Sequence, residues 1–199
     1  MTKATLLIYA KPPRMGLSKT RLAACLGLTE ARRVAHFTLA RTMRAALSGH
    51  WTPLLYTAPD KALGDSIGGL WPASLIRRSQ GQGGLTQRLA KGLAEAPPGP
   101  VLFIGADTPD LSTALLRTAI RTLQNHDAVF GPARDGGFWL FGLNKGSRTR
   151  APFDGVRWSG PHAMEDVWGN LPPHARVGLL RTLTDIDEAD DWHSWNAAR

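Results

Sequence analysis

The chain has 199 residues, 43% hydrophobic and 20% charged, a balance that suits one folded domain with a substantial core and excludes wholesale disorder. Its longest apolar runs, TLLIYA, VLFIGA and FWLFGL, are too short to span a bilayer, and a single cysteine, Cys25, excludes an internal disulfide and a cysteine-based zinc cluster. A net charge of +8 and a pI near 10.4 suit an anionic partner, yet the basic residues are scattered singly or in pairs, as on an ordinary solvated surface.

Residues 4–10, ATLLIYA, are continuous and apolar and stop at Lys-Pro-Pro, which predicts a buried strand. No small-residue cleavage site follows, so the N-terminus lacks a signal-peptide shape and a cytoplasmic location is expected. From Thr29, a candidate N-cap, apolar positions recur at three- and four-residue spacing as far as Leu47, which predicts a helix that Gly49 stops. Strands are expected at 53–58 and 74–79, with a weak helix between them. A further helix is expected over 85–96 and a strand over 100–107. Ser112 can cap a helix running to about Gln124, and 127–133 returns as a strand. Residues 137–143 arrive too soon for a helical crossover, so that strand is expected to run antiparallel. Pro161 suits the first turn of a short helix over 161–169, and a last strand and an acidic-to-aromatic helix close the chain. This order predicts one α/β domain with a mainly parallel sheet, an antiparallel element and helices on both faces.

Four segments carry candidate chemistry. The loop KPPRMGLSKTRL follows the first strand as a P-loop would, but Pro13 and Ser18 stand where that motif needs glycine, and Pro12 and Pro13 remove two amide donors. Lys11, Arg14, Lys19 and Arg21, beside Gly16, remain as a cationic phosphate site at the mouth of a strand, or as a solvated basic loop. In FIGADTPDLS, Asp107 directly follows a strand, where open α/β sheets take their ligands, and suits a divalent cation. Asp110 organises the turn or joins the metal set more weakly. In GPARDGGFWLFGL, Asp135-Gly136-Gly137 is either a hairpin turn or a close backbone approach to a ligand. In LTDIDEADD, Asp185 and Asp187 alternate on an expected strand end, which would put both carboxylates on one face toward Asp107. Glu188, Asp190 and Asp191 fit an acidic first helical turn. The histidines lack metal-ligand spacing, and no nucleophile elbow accompanies an Asp/His pair.

Taken in order, AKPPRMGLSKTRL, QGQGGLTQRL, GADTPDL, GPARDGGFWLFGL, FDGVRWS and DIDEADD resemble a bacterial glycosyltransferase-A-like family, the radical-SAM/selenodomain-associated transferases. That family is related to molybdenum-cofactor and phospholactate guanylyltransferases, and the likeness spans nearly the whole chain. The resemblance implies a Rossmann-like nucleotide-diphospho-sugar transferase fold, with residues 1–110 as the nucleotide-binding half and 111–199 as the acceptor half. It also implies a nucleotide-phosphate loop contributed by Ala10, Lys11, Arg14, Gly16, Lys19 and Arg21, with Gln80 and Arg88 in a second loop. Asp107 matches the metal-binding aspartate and Asp187 belongs to the C-terminal acidic signature. Asp135, Gly136 and Gly137, together with Trp158, fall on the acceptor side. The chain departs from the family at Gly84 and Thr86, usually Asp and Gly, at Phe138, usually Tyr, and at Gly160-Pro161-His162.

The expected activity is Mg2+- or Mn2+-dependent transfer of a sugar from a nucleotide diphosphate to an acceptor whose identity the sequence does not give. Asp107 and Asp187 are the expected metal ligands, with Asp110 and Asp185 as weaker candidates, and Asp135 is the candidate for orienting or deprotonating the acceptor hydroxyl. The rival enzyme reading is nucleotidyl transfer from an NTP to a small phosphorylated acid or cofactor, which needs no general base. A third reading, nucleic-acid binding on the same scaffold, lacks a helix-turn-helix or zinc finger to support it.

Overall fold

The unbroken apolar run at the N-terminus becomes β1 (Thr5–Ala10), whose Leu6 and Ile8 enter one core while Leu7 enters the other. The computed structural model, which describes residues 3–198, sets β1 in one sheet with six further strands. These are β2 (Thr52–Thr57), β3 (Ile76–Ser79), β4 (Gly99–Ile104), β5 (Ala128–Pro132), β6 (Phe138–Lys145) and β7 (Val177–Leu179). The strand order is β3-β2-β1-β4-β6-β5-β7. Strands β1 to β4 run parallel, β6 runs antiparallel between β4 and β5, and β7 is parallel to β5.

Helices cover both faces. On one, α1 (Thr20–Leu47) contributes Leu39 and Met43, and α3 (Thr113–Thr122) contributes Leu116 and Ala119, to the core that holds Leu6 and Ile8. On the other, α2 (Leu85–Glu95) and α4 (Ala163–Gly169) send Leu89, Leu93 and Val167 against Leu7, Phe103 and Phe141. A third, smaller cluster joins α1 to α5 (Ala189–Ala197) through Val34, Trp192 and Trp195, with Phe37 packed edge-on to both indoles. Ser112 caps α3 as expected, its hydroxyl accepting from the Leu115 amide at 3.3 Å.

Four expectations need correcting. The first helix begins at Thr20, and Gly27, at φ 81° and ψ 161°, kinks it just before Thr29. Periodicity recognised only the portion beyond this glycine. The weak helix between β2 and β3 is a single 3-10 turn, Asp60–Ala62. Pro161 precedes the His162 N-cap, so α4 starts at Ala163 rather than at the proline. Asp185 and Asp187 are not on a strand, because β7 ends at Leu179 and, among the described residues, only the isolated Leu183–Ala133 bridge follows it.

This topology decides where a ligand can sit. From β1 the chain steps outward through β2 and β3, then returns to lay β4 on the other side of β1. The carboxyl ends of β1 and β4 therefore splay apart at a topological switch point, opening a crevice between Ala10-Lys11 and Gly105-Asp107.

Candidate functional site

A cleft of about 540 Å³ occupies that crevice. Its walls include Ala10 at the end of β1 and Lys11 after it, Lys19 and Arg21 around the start of α1, Gln80 and Arg88 from the β3–α2 loop and α2, and Asp107 after β4. Residues far apart in sequence thus meet because parallel strands align their loops at one edge of the sheet. Gln80 is buried and shapes this wall: its amide donates to the Tyr56 carbonyl at 3.1 Å, while its Oε1 accepts from the Arg88 guanidinium at 3.1 Å.

Lys19 is the hub. Its backbone is left-handed (φ 55°), an uncommon state for a residue with a Cβ, and its side chain is only 4% exposed. The ammonium donates to the Ile186 carbonyl, pairs with Asp107, and reaches Asp187 at 3.0 Å. Burial alone would lower the lysine's pKa, but the facing carboxylates of Asp107 and Asp187 outweigh it and hold the ammonium charged, above its ordinary value. Both aspartates remain about half exposed, at 49% and 48%, and open to a ligand. Among the described residues no group of three or more His, Cys, Asp or Glu is disposed to hold a metal ion.

The C-terminal segment delivers Asp187 by local chemistry. Ile186 is fully buried between α1 and α5, and its amide donates to the Asp107 carbonyl at 3.0 Å. Asp191 Oδ2 accepts from the Asp187 and Glu188 amides at 3.0 and 2.8 Å, capping α5 and fixing the segment. The two flanking carboxyls then part company. Asp187 lines the cleft just described, whereas Asp185 lines a second pocket, contrary to their expected common face. Burial, reinforced by the carboxylates of Asp107, Asp187 and Asp135, pushes Asp185 up to about 7, against the hydrogen bond that the Thr108 hydroxyl donates to it.

The second pocket, of about 220 Å³, shares Tyr9, Leu85, Gly105, Asp135 and Ser159 with the first, so the two are continuous. Phe103, Phe138, Trp139 and Trp158 supply its aromatic walls. Asp135-Gly136-Gly137 forms the β5–β6 turn, where Asp135 Oδ1 accepts from the Gly137 amide at 2.9 Å. Gly136 has φ +86°, and a Cβ there would lie 2.2 Å from the Pro161 carbonyl oxygen. Glycine thereby lets the 159–161 loop close over the turn. Trp158 is locked in place by Thr86, whose hydroxyl oxygen accepts from its indole at 2.8 Å and donates to the Phe153 carbonyl at 3.1 Å. That threonine is one of the positions at which the chain departs from the family pattern.

Three sequence candidates lie elsewhere. Arg14, half exposed, pairs with Asp65 at 2.8 Å, and neither it nor Gly16 lines the cleft. Asp110 Oδ2 accepts from the Trp195 indole at 2.9 Å, anchoring α5 rather than facing the cleft. Ser18 and Tyr9 are among the further residues that line the cleft. Ser18, read only as a missing glycine, has its hydroxyl buried without a hydrogen-bond partner. Tyr9, read as strand core, donates its hydroxyl to the Arg88 carbonyl at 3.0 Å, and Gly92 leaves room for that hydroxyl. The phenol of Tyr9 near the carboxyl end of a mostly apolar strand was the available signal.

Comparison with known proteins agrees with this architecture. A family model described as "Uncharacterized protein conserved in bacteria (DUF2064)" matches residues 39–160. No curated protein matches the chain significantly. A solved candidate nucleotide-diphospho-sugar transferase from Desulfovibrio desulfuricans G20 superposes with a TM-score of 0.88 at 26% identity, covering 98% of this chain and 87% of its own. The 4-diphosphocytidyl-2C-methyl-D-erythritol synthase of Anaerococcus prevotii DSM 20548 superposes at 0.65 with 14% identity, covering 99% of this chain and 98% of its own. Glucosyl-3-phosphoglycerate synthase of Mycobacterium tuberculosis, solved with Mn2+, UDP and glucosyl-3-phosphoglycerate, superposes at 0.57 with 10% identity over 92% of this chain and 70% of its own. The fold is that of the nucleotide-diphospho-sugar transferases, and these neighbours are transferases.

Proposed function

The chain belongs to the DUF2064 family, and from that premise we propose that it is a transferase moving a sugar from a nucleotide diphosphate to an acceptor, with Mg2+ or Mn2+ as cofactor. One observation carries the reading: Lys11, Lys19, Arg21 and Arg88 converge with Asp107 and Asp187 in a single cleft at the switch point. A neutral ligand has no need of four cations there, and a nucleotide base and ribose alone have no use for paired, half-exposed carboxylates. A diphosphate accompanied by a divalent cation uses both.

The donor set fits such a cation as a partner of the nucleotide. Two carboxylates, with phosphate oxygens and water to complete the shell, suit Mg2+ or Mn2+ better than a protein cage would. Asp107 and Asp187 would hold it, and Lys19, which now bridges them, would turn its ammonium to the phosphates. When bound, the cation supplies charge stabilisation to the departing diphosphate. Lys19, Arg21, Lys11 and Arg88 bind and orient the same phosphates, and the Ser18 hydroxyl is available as a further donor. Asp135, on the boundary between cleft and pocket, orients the acceptor hydroxyl and takes its proton. In this reading the N-terminal half serves the nucleotide and the C-terminal half the acceptor. The neighbours include both a sugar transferase and a cytidylyl-type synthase, so nucleotidyl transfer is the reading to be separated from it.

A thermal-shift panel of UDP, GDP, nucleotide sugars and NTPs, each with and without Mn2+, tests the proposal. A bound nucleotide at a hundredfold excess over its Kd should add about 2.7 kcal/mol of stability. Absence of any metal-dependent shift refutes it. Pyrophosphate release from an NTP, rather than nucleoside diphosphate release from a nucleotide sugar, would move the assignment to nucleotidyl transfer.

A further inference from the structure

The two connected cavities differ in the charge they offer. Among the described residues, four basic side chains line the first cleft, whereas no lysine, arginine or histidine lines the second pocket. Its acidic groups are Asp135 and Asp185, and the remaining wall is largely aromatic and aliphatic. The two indoles present carbon to a ligand, because their N–H groups are already engaged: Trp158 with Thr86 at 2.8 Å and Trp139 with the Arg181 carbonyl at 3.1 Å. Asp135 Oδ2 has no partner among the described residues and stands at the boundary between the cavities. A carboxyl in either protonation state brings no positive charge, so a phosphate or carboxylate entering here would be desolvated without compensation. A ring with one apolar face and hydroxyls at its edge finds both an aromatic wall and hydrogen-bond acceptors.

We propose that this pocket takes an uncharged or cationic hydroxyl compound with an apolar face, of the kind presented by an alkyl or aryl glycoside, and not a phosphorylated acid. The assignment rests on the transferase reading above and deepens it, since a phosphorylated acid whose charged groups entered this pocket would need cations there. In the sugar transfer, a bond forms from the acceptor oxygen to the anomeric carbon. The bond from that carbon to the diphosphate oxygen breaks, the oxygen keeping the electron pair. The hydroxyl proton passes to Asp135.

The test is calorimetric binding of phenyl β-glucoside and phenyl β-glucoside 6-phosphate to the full chain, each with excess inorganic pyrophosphate present to fill the adjoining cationic cleft. The neutral probe should bind at least tenfold more tightly than its phosphate. Asp135→Lys, a substitution at an exposed turn position, should narrow or invert that ratio, and Trp158→Ala should weaken the neutral probe at least fivefold. Equal or tighter binding of the phosphate, no binding of either probe, or a Trp158→Ala variant that binds like the wild type overturns the assignment. Nucleotide binding is read separately by the thermal-shift panel, so failure of the parent reading and failure of this one leave different signatures.

Discussion

The cationic cleft and the aromatic pocket share a wall, yet they are built by opposite means. The cleft takes three of its four cations, Lys11, Lys19 and Arg21, from one local segment and relies on the fold to bring Arg88, Asp107 and Asp187 opposite them. The pocket draws single residues from α2, the β4 end, the β5–β6 turn and the 158–160 loop, held together by packing and by Thr86 and Gly136. Between them the segment Asp185-Ile186-Asp187 buries its central side chain and sends one carboxyl to each cavity. A local motif is robust to substitutions at a distance, whereas an assembled pocket fails when any distant support is lost.

The hardest blow to this division is removal of Lys19. Lys19→Met should weaken UDP binding in the presence of Mn2+ at least a hundredfold, about 3 kcal/mol, because a buried charge with three acceptors is lost. The same variant should bind Mn2+ alone more tightly than wild type, since the ammonium no longer occupies the two carboxylates. Calorimetry with each ligand separates these effects, and unchanged UDP affinity would remove Lys19 from the centre of the site.

Asp185 gives the next largest effect, and it depends on pH. Its folded pKa of about 7 lies above the unfolded carboxyl's, so its contribution to stability is fully present below about pH 4 and is lost as pH rises through 7. Asp185→Asn removes that dependence. In metal-free buffer its stability relative to wild type should rise by about 4 kcal/mol between pH 4 and 8. Parallel urea-unfolding curves at the two pH values would contradict the burial assigned to this carboxyl.

Gly136→Ala sharpens the contrast from the pocket side. Both the positive φ and the Pro161 carbonyl resist a Cβ, so a loss of about 2 kcal/mol in urea unfolding is expected. UDP affinity should stay within twofold of wild type, because the strain lies on the pocket side of the shared wall. The smallest effect belongs to Arg14. Its exposed pair with Asp65 is worth at most about 0.5 kcal/mol, and Arg14→Ala should change UDP affinity less than twofold. Arg21→Ala, in the cleft wall, should cost about tenfold.

Much of the fold was legible because its signals are local. Unbroken apolar runs marked β1 and β4, Ser112 marked the start of α3, and the short interval before residue 138 required an antiparallel β6. The first turns of α1 were not legible, since a kink at Gly27 separates a basic, weakly periodic stretch from the amphipathic part. Nor could spacing place Asp185 and Asp187, because no strand carries them and a buried Ile186 sets their directions.

The sequence alone determined an α/β chain with a cationic loop after its first strand and an aspartate after its fourth. Both are consequences of residue type and neighbouring context. Only the tertiary structure decided that Lys19 bridges Asp107 and Asp187, that Asp110 and Arg14 serve other contacts, and that a cation-free aromatic pocket adjoins the cleft. Those outcomes depend on which loops the parallel strands carry to one edge of the sheet, and on which polar groups burial leaves facing one another. Neither is encoded within any single stretch of the chain.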